Sequence, residues 1–145
     1  MNERKDIIFF EHTADVEYEA YGKNLEEAFE KAAIAMQNVM TDLKKVEAKV
    51  EMEIEAKGED LESLLYDFLE KILILNDSEN LIFSQVKVLE ISQKNGGFLL
   101  KAKLAGEKFN PEKHESWTAI KAITYHNMKV GKKNEGFFVH VVLDI

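Results

Sequence analysis

Twice along this chain the spacing of apolar residues changes, at a glycine, from the period of a strand to that of a helix, and this double switch limits the fold more than any other feature. In "VEYEAYG", Val16, Tyr18 and Ala20 alternate with Glu17 and Glu19, the pattern of a strand with one wet face. The next stretch, "GKNLEEAFEKAAIAMQNVM", repeats Leu25, Ala28, Phe29, Ala32, Ala33, Met36 and Met40 at helical spacing. Asn24 with Glu27 makes a capping box there, so the spacing predicts a helix from about Asn24 to Met40. Alternation returns in "VEAKVEMEIEAKG", which reads as a long strand with Val46, Ala48, Val50, Met52, Ile54 and Ala56 on one side. "EDLESLLYDFLEKILIL" then restores the helical period, with Asp60 placed to cap it. The Met and aromatic positions of both helices read as core. The two strand-then-helix units look alike in pattern, although few of their residues are identical.

From Leu81 onward the signals are strands. "LIFSQVKVLEIS" and "FLLKAKLAG" flank "QKNGGF", where Asn95-Gly96 is a hairpin turn. "AITYHNMKV" and "FFVHVVLDI" flank a second turn around "GKKNEG". This order predicts an α+β fold, with two helices packed on one face of a largely antiparallel or mixed sheet. With 145 residues, 46% of them apolar, the chain can build one core, and a single domain over 1–145 is expected. Pro111 is the one proline and the glycines are scattered, so nothing resembles a linker.

Composition removes several classes of function. There is no cysteine, which excludes disulfides, zinc-thiolate sites and a thiol nucleophile, and fits a reducing, cytoplasmic setting. No stretch has the length of a membrane span or the make-up of a secretion signal. A net charge of −8 disfavours strong direct binding to nucleic acid and points toward a protein partner. The lysines from Lys121 through Lys129, Lys132 and Lys133 read as guards of a strand edge. No Ser-His-Asp order, phosphate-binding glycine loop or "HExxH" is present. A metal-dependent hydrolase therefore has ligands to draw on but no evident nucleophile.

Three stretches could carry chemistry. In "EHTADVEYE", Asp15 stands at a strand start, where the plainer reading is that Thr13 or Asp15 satisfies turn backbone. In "HVVLDI", alternation sends Phe137, Val139, Val141, Leu143 and Ile145 one way, and Phe138, His140, Val142 and Asp144 the other. The side chain of Asp144 and the carboxylate of Ile145 are one residue apart, so they repel unless water or a cation separates them. Calcium and magnesium prefer such oxygen donors, and a third carboxylate from Asp15 would complete a credible site. In "IKAITYHNMKV", Lys121, Thr124, Tyr125 and His126 put hydrogen-bonding groups on a strand.

Taken in order, "HTADV", "AYGKNLEEAFEKAA", "KAITYH" and "VVLDI" resemble the archease family over nearly the whole chain. Where this chain has Glu17, many members have glycine. The resemblance implies an archease-like fold and a protein that is not itself an enzyme but assists an RtcB-type RNA ligase in tRNA splicing. Such proteins promote guanylylation and repeated turnover of the ligase and broaden its use of nucleotides. A divalent metal, calcium by preference, is implied at Asp15, Asp144 and Ile145, with His12, Lys121 and His126 as candidate contacts to the partner or to the metal ligands. A chaperone or modulator of DNA- and RNA-processing proteins is the alternative that the family offers.

Overall fold

The computed structural model describes residues 6–10 and 15–145. Among them the elements run β1 (Ile7–Phe10), β2 (Asp15–Gly22), α1 (Leu25–Met40), β3 (Val50–Gly58), α2 (Leu61–Glu79), β4 (Leu81–Lys94), β5 (Gly97–Lys108), β6 (Ala122–Lys133) and β7 (Gly136–Asp144). Both helices begin where their caps predict. Asn24 Oδ1 accepts from the Glu27 N–H at 2.8 Å, and Asp60 forms a full capping box with Ser63. The third strand starts later than its alternation suggests. A 3-10 turn at Leu43–Lys45 takes the Val46 N–H into a bond to the Leu43 carbonyl, so pairing with β5 is regular only from Val50.

The two-helix, antiparallel α+β organisation is the expected one, but the strands form two ladders. One sheet has the order β1-β2-β7-β6 and the other β3-β5-β4, every pairing antiparallel. The reason is that β2 and β3 recruit different hairpins: β2 pairs with β7 of the β6–β7 hairpin, and β3 with β5 of the β4–β5 hairpin. Each helix packs on strands of both sheets, α1 on β2, β7 and β4, and α2 on β3, β5 and β6. The shared core includes Tyr18, Phe29, Phe68, Phe83, Leu104 and Leu143, all fully buried. Its polar members are satisfied. The Tyr18 hydroxyl donates to the Ala32 carbonyl at 2.7 Å, while Gln37 and Asn76 exchange two amide hydrogen bonds at 2.9 Å.

The likeness of the two strand–helix units extends to contacts. A Cβ added to Gly22 would lie 2.3 Å from the Ala28 nitrogen, and one added to Gly58 would lie 2.3 Å from the Leu64 nitrogen. Gly136 and Gly97 open the facing strands β7 and β5, and Cβ atoms there would meet the carbonyls of Gly22 and Gly58 at 2.5 and 2.8 Å. The turns before them hold Asn134 and Asn95 at φ 57 and 53. Each half is thus a strand, a helix and a hairpin, closed at one glycine-crowded corner. The connection from β5 to β6 is anchored separately: buried His114 places Nε2 3.1 Å from Glu107, and its Nδ1 accepts the Asn110 N–H at 2.9 Å.

Candidate functional site

The register of β2 against β7 sets Asp15 directly opposite Asp144 at one end of the first sheet. Directly opposed residues of an antiparallel pair share a face, with Cβ atoms about 4.5–5.5 Å apart. Their neighbours Val16 and Leu143 pack on the core, so both aspartates belong to the face turned away from the helices. Asp15 is half-buried and Asp144 exposed. The end of β7 is tied down, because the Lys121 N–H donates to the Asp144 carbonyl at 2.7 Å and the Ile145 side chain packs against the core.

Two like charges directly across a ladder repel, and no Lys or Arg side chain of the described residues forms an ion pair with either aspartate. Hard oxygen donors held together without a cation fit a divalent ion such as calcium or magnesium. Two aspartates are the extent of the side-chain cluster: among the described residues, no group of three His, Cys, Asp or Glu is placed to hold a metal ion. Among the described residues, a third protein ligand is a different kind of group, such as a backbone carbonyl or a carboxylate at Ile145.

The same face continues into a second cluster, which sequence reasoning missed. Alternation puts Glu17 and Glu19 of β2 beside Val142 and His140 of β7. His140 Nδ1 lies 2.9 Å from Glu19, its Nε2 contacts Glu17, and the Phe10 ring stacks on the imidazole with centroids 5.6 Å apart. The Tyr21 hydroxyl donates to the other Glu19 oxygen, and Lys133 Nζ sits 3.9 Å from that carboxylate and 5.3 Å from the Tyr21 ring centroid. Burial pushes the Glu19 carboxyl up, but the bonds from Tyr21 and His140 and the charge of Lys133 outweigh it, leaving the group below its ordinary 4.5. Because each ring nitrogen faces a different carboxylate, the imidazole bridges the two glutamates and does not join them as a third ligand on one ion. The available signal was the Glu-x-Glu spacing and a His on the last strand, and only the pairing of those strands gives it meaning.

The other predicted contacts are spread out. His12 lies outside the described residues. Lys121 adjoins the aspartate pair through its backbone, with its side chain exposed. His126 is exposed in an irregular part of β6, where its N–H donates to Thr124 Oγ1 at 3.1 Å, further along the strand than Ala122, the residue opposite Asp144.

Fold and site together define a class: small α+β proteins in which two strand–helix units and two hairpins enclose one core, with an aspartate pair where the first unit meets the last strand. The archease protein family (MTH1598/TM1083) model matches residues 8–145. The chain belongs to the archease family. Protein archease from Pyrococcus furiosus is 51% identical over 137 residues, covering 94% of this chain and 96% of that one. Protein archease from Sulfolobus acidocaldarius is likewise 51% identical, over the same shares of the two chains. The solution structure of protein 1598 from Methanobacterium thermoautotrophicum superposes with a TM-score of 0.87 at 42% identity, covering 98% of this chain and all of that one. A crystal structure of an archease from Thermotoga maritima, described as a possible chaperone, has a TM-score of 0.53 at 24% identity, a likeness of fold alone. No helix among the described residues is long and apolar enough to cross a membrane.

Proposed function

We propose that this archease is a metal-binding accessory protein, not itself an enzyme, that activates an RtcB-type RNA ligase by promoting its guanylylation and turnover and by broadening its use of nucleotides. The observation that carries the reading is the register placing Asp15 opposite Asp144 on one face of one sheet. Family membership supplies the partner class. In this reading Asp15, Asp144 and the carboxylate of Ile145 hold a divalent ion, calcium by preference. When bound, such an ion supplies concentrated positive charge to phosphate oxygens. The protein's own residues do the rest. The ladder between β2 and β7 holds the two carboxylates together, and the Lys121 bond to the Asp144 carbonyl keeps the end of the last strand from fraying. Lys121 and His126, with exposed side chains, and His12 are the candidate contacts to the ligase or the metal ligands.

The test is to mix the protein with an RtcB-type ligase, divalent metal and labelled GTP, and to follow formation of the guanylylated ligase. The expected result is acceleration by the native protein and little by Asp15→Ala or Asp144→Ala. No acceleration by the native protein would sink the ligase reading, and full acceleration by both variants would sink the metal reading.

A second reading is a chaperone or modulator of proteins that process DNA or RNA. It is favoured by three consecutive exposed apolar residues, Ile8, Phe9 and Phe10, on the edge strand β1. In that case suppression of aggregation of an unrelated unfolded protein would persist in the aspartate variants and without metal.

A further inference from the structure

The irregularity in β6 has a product. Thr124 pairs with Val142 and Lys129 with His140, so four residues of β6 stand against Val141 alone. The excursion also holds Asn127 at φ 56, a left-handed conformation that asparagine tolerates better than most residues. Tyr125 is thereby carried onto α2, where its ring stacks on Tyr66 with centroids 4.2 Å apart and planes within 6°. One face of Tyr125 is covered by Tyr66, yet the residue is 57% exposed, so the other face of the ring is open.

The surroundings of this open ring are acidic. Burial, the neighbouring Tyr66 and the charges of Asp60, Glu70 and Asp67 all raise the Tyr125 hydroxyl. Glu70, one turn beyond Tyr66 on α2, also raises the Tyr66 hydroxyl by its charge and a hydrogen bond, after burial. Of the three acids, Asp67 has a cation of its own, Lys71 at 3.1 Å. The cation–π contacts of the described residues fall on Phe137, Tyr21 and Phe138, so neither Tyr66 nor Tyr125 receives one.

We propose that the Tyr125 face, backed by Tyr66 and with Glu70 one turn along α2, is a docking site for an arginine side chain of a partner protein. A guanidinium is planar and stacks flat on an aromatic ring, and it keeps its charge while doing so. The carboxylates then answer the charge that stacking alone leaves uncompensated. The same carboxylates repel phosphate, which sets a protein partner ahead of RNA. The pair rests on α2 and β6, on the helix side of the first sheet and opposite to the face that carries the two aspartates. The site therefore stands whether or not the metal reading holds.

The test is an NMR titration of the tyrosine ring protons with N-acetylarginine amide, repeated with N-acetyllysine amide and with adenosine 5′-monophosphate. The expected result is a saturable shift of the Tyr66 and Tyr125 signals with the arginine probe, and binding weaker by about threefold or more with the lysine probe. Tyr125→Phe should retain the Tyr66 shift within about twofold, Glu70→Gln should weaken binding by about threefold, and Tyr125→Leu should abolish the response. No saturable shift with arginine, an undiminished Tyr66 response in Tyr125→Leu, or equal binding by Glu70→Gln each overturns the proposal. So does tighter binding of the nucleotide than of arginine, which would mark the ring as a nucleobase platform.

Discussion

Asp15 and Asp144 come from opposite ends of the described chain, yet the ladder leaves each beside the other's charge. If a divalent ion relieves that repulsion, either Asp15→Ala or Asp144→Ala should lower calcium affinity by about tenfold or more, a change that calorimetric titration resolves. Unchanged affinity in both variants would remove the aspartates from the account. Extending the chain beyond Ile145 is expected to weaken binding in the same experiment, because the carboxylate would move away from the pair. His140 presents a different problem on the same face. It sits between Glu17 and Glu19, and its removal brings two carboxylates together without the intervening donor. His140→Ala should therefore cost about 1–3 kcal/mol in urea unfolding, and His140→Gln, which keeps one N–H donor, should cost less. Equal losses in the two variants would mean that packing of the ring against Phe10 matters more than the N–H donor.

At the scale of elements, the corner where strand, helix and hairpin meet leaves no room for a side chain. Gly58→Ala would press a methyl group against the Leu64 backbone nitrogen, which cannot swing aside, so a loss of about 1–3 kcal/mol is expected by chemical denaturation. A neutral result would show that β3 and α2 can separate at little cost. These elements were legible because period and caps agree locally: Asn24, Asp60 and the Asn95-Gly96 turn all do what their residue types suggest. Partnership between strands was not legible. Nothing in "VEYEAYG" states that it pairs with the last strand, so the division into two sheets and the Glu17–His140–Glu19 bridge emerge only in three dimensions. The aspartate pair was readable as residue types, whereas its convergence depends on that same long-range pairing. Gln37 and Asn76 escaped notice because polar residues on a helix read as solvent-facing, and their burial depends on each other.

For the whole molecule, acid should find the connection between β5 and β6 before it finds the core. The Glu47 N–H and the Lys113 and His114 side chains outweigh burial and hold the Glu107 carboxyl down from 4.5 to about 2. A folded value below the unfolded one means that the unfolded chain binds the extra proton. The stabilisation is therefore complete above about pH 4.5 and is lost as pH falls toward 2. Glu107→Gln should flatten the fall in stability across that window, and an unchanged slope would place the acid sensitivity elsewhere. The paired halves carry a further consequence. The β3–β5 ladder sets Glu51 opposite Ala105, at the place that Asp15 and Asp144 occupy between β2 and β7. The molecule thus holds an internal twin of its own candidate site, similar in backbone and lacking the second acid. The twin's one carboxylate, Glu51, already has Lys103 at 3.8 Å, so a divalent ion selected by the aspartates should perturb amide resonances at the β2–β7 end and leave the twin silent.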